Sequence, residues 1–176
     1  QAQDKLKEAE SAYRNAIKIK PTFAEAYSNL GSLLKVLGNL QEAELCIRKA
    51  IELDPNFAEA HYNLGNILRD LNKLKEAELS TCKSIKLNPT FANAHLSLGV
   101  ILADIGKSRE ALDCYIRAAE LKPIPPNIYL YITRLLKDSH PSVFNQSTLK
   151  NILNLLLEKN NIPHKELFKA FYFLHG

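Results

Sequence analysis

The chain has 176 residues, 46% of them apolar and 24% charged, with 23 Lys plus Arg against 19 Asp plus Glu and a formal net charge of +4. That balance suits a folded chain with a wet surface, built as one domain or one stack of small units. The basic excess is gathered into no run, no stretch approaches about 18 consecutive apolar residues, and residues 1–10 are polar, which excludes the signatures of a nucleic-acid binder, a membrane span and a secretory signal.

In chain order, residues 1–23 end an apparent unit at Pro21, and the same ending recurs at Pro55, Pro89 and Pro123, each 34 residues after the last. Aligned on these prolines, residues 24–57, 58–91 and 92–125 are three full units, and residues 1–23 are the second half of a preceding one. Lys5-Leu6-Lys7-Glu8-Ala9-Glu10 returns letter for letter as Lys73 to Glu78, two periods on, which marks duplication. The missing Met at position 1 fits a piece excised from a longer protein.

Each unit reads as a helical hairpin. Counting from its first residue, positions 4, 7 and 11 carry Tyr27, Leu30 and Leu34, then His61, Leu64 and Leu68, then His95, Leu98 and Leu102. With position 8, which is Gly31, Gly65 and Gly99, they fall within about 100° of one another on a helix and form one buried stripe. Position 20, which is Ala43, Ala77 and Ala111, adds small residues that let two helices approach closely. Position 15 is Gly38, Asn72 and Gly106, the types that accept a left-handed C-terminal cap. A second helix follows over positions 17–30, and proline ends the unit because it cannot continue the hydrogen-bond ladder.

Beyond Pro125 the period decays. Residues 126–137 predict one more first helix, with Tyr129, Ile132 and Leu136 on its stripe but Thr133 at the glycine position. Residues 138–141 break it. An apolar helix is expected from Ser142 or Ser147 to Lys159, and a last one from Pro163 with Leu167, Phe168, Phe171 and Leu174 on one side.

The pairs Leu30-Gly31, Leu64-Gly65 and Leu98-Gly99, the position-20 alanines and the terminal prolines resemble the tetratricopeptide repeat family over residues 1–125. The resemblance implies an all-α, right-handed superhelical solenoid of antiparallel helix pairs, with residues 126–176 as a degenerate repeat and C-terminal capping helices. It also implies a noncatalytic protein-interaction module. Thr81 and Ser84 stand where the family places a large apolar residue and Ala, which predicts a loosely packed second helix in that unit.

A stack of this kind curves, with first helices lining its inner surface. Positions 2, 6, 9 and 13 lie roughly 180° from the buried stripe and are expected to face that groove. They are Glu25, Asn29, Ser32 and Val36; Glu59, Asn63, Asn66 and Asp70; Asn93, Ser97, Val100 and Asp104; and, in the degenerate unit, Asn127, Tyr131, Arg134 and Asp138. Asn29 and Asn63 share one position, with Ser97 completing the row. An Asn side chain offers a donor and an acceptor that match one peptide unit whatever its sequence. Helices about 10 Å apart would hold roughly every third residue of an extended peptide that advances about 3.3 Å per residue. The row resembles the asparagine ladder in the repeat region of O-linked N-acetylglucosamine transferase, which holds extended peptides in this way. The bland alternative is a set of solvated polar positions carried along by duplication.

The expected peptide contacts are therefore Asn29, Asn63, Asn66 and Ser97, with Glu25, Glu59, Asp70, Asn93 and Asp104 on the stripe, Arg69 beside it, and Tyr62 and Tyr131 as packing surfaces. Glu25, Glu59, Asp70 and Asp104 make the stripe mildly acidic, with Lys35 and Arg69 flanking it. Another branch of the family clamps C-terminal carboxylates with basic residues on these positions. Here the corresponding places hold Ser28, Asn93 and Ser97, so the resemblance implies no such clamp.

Other candidates carry less. His61 and His95 sit on the packing stripe without further metal ligands. Cys46, Cys82 and Cys114 form no close pair, which predicts a reducing, cytoplasmic setting and packing roles. Asp138-Ser139-His140 reads as a helix break rather than a catalytic set, and Asn145-Gln146-Ser147 spells a glycosylation acceptor in a chain without a secretion signal. No cofactor or metal motif is present. Two alternative readings remain open: the accessory repeat region of a larger bacterial glycosyl- or sulfo-transferase, motivated by the apolar run 168–174, and end-to-end self-assembly through Ala9, Tyr13 and Ala16.

Overall fold

A computed structural model of the chain describes residues 2–157. Among them run nine α-helices: α1 (Ala2–Ile19), α2 (Ala24–Val36), α3 (Leu40–Leu53), α4 (Ala58–Asp70), α5 (Leu74–Leu87), α6 (Ala92–Ile105), α7 (Ser108–Glu120), α8 (Ile128–Asp138) and α9 (Gln146–Leu157). The architecture is an all-α repeat solenoid in which α2 and α3, α4 and α5, and α6 and α7 are antiparallel pairs.

The loop inside each pair follows from one left-handed residue. Gly38, Asn72 and Gly106 have φ of 83°, 58° and 88°. Behind each, the chain folds back so that Asn39, Lys73 and Lys107 donate backbone N–H to the carbonyls of Leu34, Leu68 and Leu102 at 2.9, 2.8 and 2.9 Å. Carbonyls orphaned by the helix end are thereby satisfied. The link between pairs is equally regular. Asn56 and Thr90 donate backbone N–H to the side chains of Asp54 and Asn88, and His61 and His95 hydrogen-bond through Nε2 to the carbonyls of Pro55 and Pro89 at 3.1 and 3.0 Å. The two histidines thus brace the turns that deliver their own helices.

Within each pair the backbones meet at the position-8 glycine. A Cβ on Gly31 would stand 2.6 Å from the Ile47 side chain, one on Gly99 would stand 2.5 Å from the Tyr115 ring, and one on Gly65 would collide with the Thr81 hydroxyl. Any larger residue at these crossings would force its neighbour aside. Leu30, Leu34, Ile47, Leu64, Ile67 and Leu68 fill one core, and Leu98, Leu102, Tyr115, Ile132, Leu149 and Leu153 belong to the next.

The second unit does not show the loose second helix expected from Thr81 and Ser84. Both are fully buried. Ser84 donates to the Ala58 carbonyl at 2.7 Å and Ser80 to the His61 carbonyl at 2.9 Å, so hydroxyls bind α5 to the start of α4 where the other full units have Ala50 and Ala118 or Cys46 and Cys114. Each bond offsets the desolvation of its own hydroxyl.

At the C-terminal end, α8 begins at Ile128 rather than at residue 126, because Asn127 adopts φ of 62° as its N-cap. Asn145 accepts from Ser147 N and Oγ at 2.8 and 2.6 Å and starts α9, which explains that Asn-x-Ser spelling as a helix cap. Helices α8 and α9 share the core of α6 and α7 through Ile128, Ile132, Leu149, Ile152 and Leu156. The helix expected from Pro163 and the apolar run 168–174 lie outside the described residues.

Candidate functional site

Successive first helices approach one another, α2 with α4, α4 with α6, and α6 with α8, and no comparable approach joins α3 to α5 or α5 to α7. The first-helix side is therefore the tighter, inner side of the stack, and it carries positions 2, 6, 9 and 13 of each unit.

These positions differ from one unit to the next. Asn29 is exposed, Asn63 and Asn66 are half-buried, and Ser97 is buried at 8% exposure. Asn63 Nδ2 donates to Ser28 Oγ at 3.3 Å across the α2–α4 boundary, and Ser97 Oγ donates to Asn66 Oδ1 across the α4–α6 boundary. Ser97 thus departs from its expected place in the groove: its short side chain lies under Asn66 and its hydroxyl proton is spent there. Asn29 keeps a donor and an acceptor facing out. Asn63 retains its carbonyl oxygen, and Asn66 retains its amide N–H groups. Ser32 turns its hydroxyl back onto the Ser28 carbonyl of its own helix at 3.0 Å.

Charge on this face is more nearly balanced than the acidic stripe expected from composition. Lys35 Nζ pairs with Asp70 at 3.0 Å, and Arg69 Nε pairs with Asp104 at 2.6 Å. The same two positions join in each case, one from each neighbouring unit. Asp70 and Asp104 are thereby neutralised, and Lys35 and Arg69 are committed to them. Glu25, Glu59 and Asn93 are exposed at position 2 along the rim, and Val36 stands 71% exposed where later units have the aspartates.

The face ends in a cavity of about 330 Å³ lined by Arg69, Asp104, Tyr115, Tyr131, Leu135 and Ser139. Tyr115 belongs to the outer helix α7, yet it passes over Gly99, and its ring lies 5.9 Å from that of Tyr131. Burial pushes its phenol above the usual tyrosine range, so it is a neutral hydroxyl at physiological pH. Arg134 and Asp138 pair loosely at 3.6 Å beside the opening. Asn127, assigned to the inner stripe from its spacing, serves instead as the α8 cap.

Tyr62 packs its ring 5.0 Å from Phe91, against the turn that begins the third unit. Ser139 donates to Ser108 Oγ at 3.0 Å, and His140 Nδ1 meets Ser142 Oγ at 2.7 Å and caps the short turn Pro141–Val143, so these two side chains face different partners. Burial raises all three thiols, and Cys114 is pushed up to about 12, the opposite of nucleophile activation. Among the described residues no group of three or more His, Cys, Asp or Glu could hold a metal, and no helix is long and apolar enough to cross a membrane.

Ser28, Lys35 and Tyr115 were not among the expected site residues. A signal for Lys35 exists in the numbering, because Lys35–Asp70 and Arg69–Asp104 share one offset. Ser28, buried at the α2–α4 boundary, is marked in the sequence only as a place where another branch of the family carries a basic residue.

Comparison with known proteins gives a consistent result. Three family models described as tetratricopeptide repeat match residues 24–57, 46–78 and 92–125, and one described as TPR repeat matches residues 2–38. No curated protein sequence matches the chain. Among solved structures, MamA is similar with a TM-score of 0.70 at 22% identity, covering 97% of this chain and 90% of its own. YrrB, described as a TPR protein with an unusual peptide-binding site, gives 0.73 at 22% identity, covering 93% of this chain and 85% of its own. The first TPR of Spaghetti (RPAP3), bound to the HSP90 peptide SRMEEVD, gives 0.62 at 23% identity, covering 65% of this chain and 91% of its own.

Proposed function

The chain belongs to the tetratricopeptide repeat family, and on that premise we propose that it is a noncatalytic module that lays an extended peptide along its inner face. The observation that carries this reading is the amide row. Asn29 is exposed, and Asn63 and Asn66 each keep one hydrogen-bonding function unspent on neighbouring helices. An exposed Asn inside a helix has little local justification, since its propensity there is poor and its side chain prefers caps. At about 1 kcal/mol net per hydrogen bond, two to four such bonds give only millimolar-scale affinity. The remainder comes from side chains, and the cavity between Tyr115 and Tyr131 is the place on this face where one peptide side chain is enclosed.

The ligand differs in kind from the acidic peptide seated on the RPAP3 domain. Lys35 and Arg69 are occupied by Asp70 and Asp104, and the rim residues Glu25 and Glu59 repel carboxylates. Helices α8 and α9 close the described end of the stack as a divergent unit, and three free cysteines suit a reducing compartment.

Selection from a random-peptide library tests the proposal. The expected result is a set of linear peptides without a required acidic C-terminus, whose binding falls at least fivefold with Asn29→Ala. Enrichment of acidic-tailed peptides, or of none, would refute it.

A further inference from the structure

Tyr131 stands at position 6 of the last unit, the position held by Asn29, Asn63 and Ser97 in the units before it. A ring replaces the amide there, and beside it lies the cavity of about 330 Å³ whose walls come from α4, α6, α7 and α8. Val100, Ala103 and Leu135 supply aliphatic wall, and the rings of Tyr115 and Tyr131, tilted at 38° to each other, supply aromatic wall. Tyr115 is 2% exposed and Tyr131 37%, so Tyr131 is the ring that a ligand meets. The charges cancel. Arg69 is paired with Asp104 and Arg134 with Asp138, two cations against two carboxylates. Ser139, more deeply buried than Tyr131, donates to Ser108 Oγ at 3.0 Å, a bond that uses neither the Ser108 hydroxyl proton nor the Ser139 lone pairs.

We propose that this cavity is the anchor site for one neutral aromatic side chain with a polar edge, Trp or Tyr, of the bound peptide. The inference deepens the extended-peptide reading and rests on it for the chain that carries the ring. Size argues first: a space of about 330 Å³ is much larger than one aliphatic side chain, and walls left without a partner forfeit their contacts. Charge argues next. A ligand carboxylate would have to draw Arg69 from Asp104 and then lie beside the freed carboxylate, and a ligand ammonium would meet Arg69 in the same way. A neutral ring disturbs neither partner. It gains an offset or edge contact with Tyr131, and the Arg134 guanidinium, held only at 3.6 Å by Asp138, is free to turn over its face. The serine hydroxyls give an indole N–H or a phenol O–H a partner that a Phe ring would leave unused. Register follows from the rungs: at about 10 Å between first helices and about 3.3 Å per peptide residue, the anchor lies about six residues from the peptide unit held by Asn63.

The N-acetyl amides of Trp, Tyr, Leu, Lys and Glu are titrated into the isotope-labelled chain and followed by backbone amide chemical shifts. The Trp and Tyr derivatives are expected to shift the amides of Ala103, Leu135 and Ser139 to saturation, binding about fivefold or more tightly than the Leu derivative, with the Lys and Glu derivatives weaker still. Tyr131→Ala, and separately Ala103→Leu, which fills the space from the α6 wall, are each expected to weaken the Trp derivative by about fivefold or more, and the same spectra report whether each variant is folded. Asn29→Ala leaves it unchanged. Equal binding of the Leu derivative, tighter binding of the Lys or Glu derivative, no saturable shift at these amides, or indifference to both substitutions would each overturn the site. Because the probes carry no extended chain, the two readings fail separately. A filled cavity with no peptide selected would refute the groove and leave the ring site standing, whereas selected peptides without an aromatic residue would overturn the ring site alone.

Discussion

Asn63 Nδ2 donates to Ser28 Oγ at 3.3 Å, joining α4 to α2 on the inner face, whereas Asn29, one repeat earlier at the same position, is exposed. Two residues that the repeat makes equivalent are therefore unequal as ligands. Ser28→Ala removes the hydroxyl and frees the second amide proton of Asn63. A net hydrogen bond of about 1 kcal/mol limits the effect to about a fivefold gain in peptide affinity. Titration calorimetry with a selected peptide checks it, and a loss of affinity would mean that Ser28 itself holds the peptide.

The glycine crossings predict an order of stability. Gly99→Ala places a methyl against a rigid Tyr115 ring, whereas Gly31→Ala meets the flexible end of Ile47, which can turn away. Both are expected to destabilise, Gly99→Ala by about 1–3 kcal/mol and Gly31→Ala by less. Urea unfolding midpoints give the comparison.

These crossings were legible in the sequence, as were the ends of α2, α4 and α6, because each rests on a residue whose backbone freedom or size is decisive: Gly38, Asn72 and Gly106 for the left-handed turns, Gly31, Gly65 and Gly99 for close approach. Relations between units were not. Ser97 and Asn29 share a position, yet Ser97 is covered by Asn66 of the preceding helix, and the Lys35–Asp70 pair links positions that differ by one. Both depend on how far one hairpin is turned against the next, which a repeat length does not encode. Within the second unit, Thr81 and Ser84 predict loose packing because nothing in the sequence shows that the Ser84 hydroxyl meets the Ala58 carbonyl.

Lys35 and Arg69 are held by aspartates, so a peptide ending in a free acidic tail is expected not to bind in calorimetry. Asp70→Asn with Asp104→Asn releases both cations and is expected to confer weak capture of that peptide, diminishing with added salt. Tight binding to the unaltered chain would refute the assignment of this face.

On the outer side, Glu44 accepts from Lys73 at 2.8 Å and pairs with Arg48 at 2.8 Å. The Lys73 hydrogen bond, aided by Arg48, holds its carboxyl below the usual value of 4.5. A depressed folded-state pKa stabilises above that value, and the contribution is lost as pH falls through the folded pKa. Glu44→Gln should therefore lower the melting temperature at pH 7, by the equivalent of about 1 kcal/mol or less, and the gap should close in acid below the folded pKa. A gap that persists unchanged in acid would locate the cost in packing instead.

The most direct measurement is the affinity of a selected peptide for the chain carrying Asn29→Ala and Asn63→Ala, taken together with the melting temperature of that variant. The amide row predicts binding weakened about tenfold or more, with a melting temperature within roughly two degrees of the unaltered chain because only one hydrogen bond within the fold is lost. Unchanged affinity, or a loss of binding that merely follows a loss of fold, would contradict it.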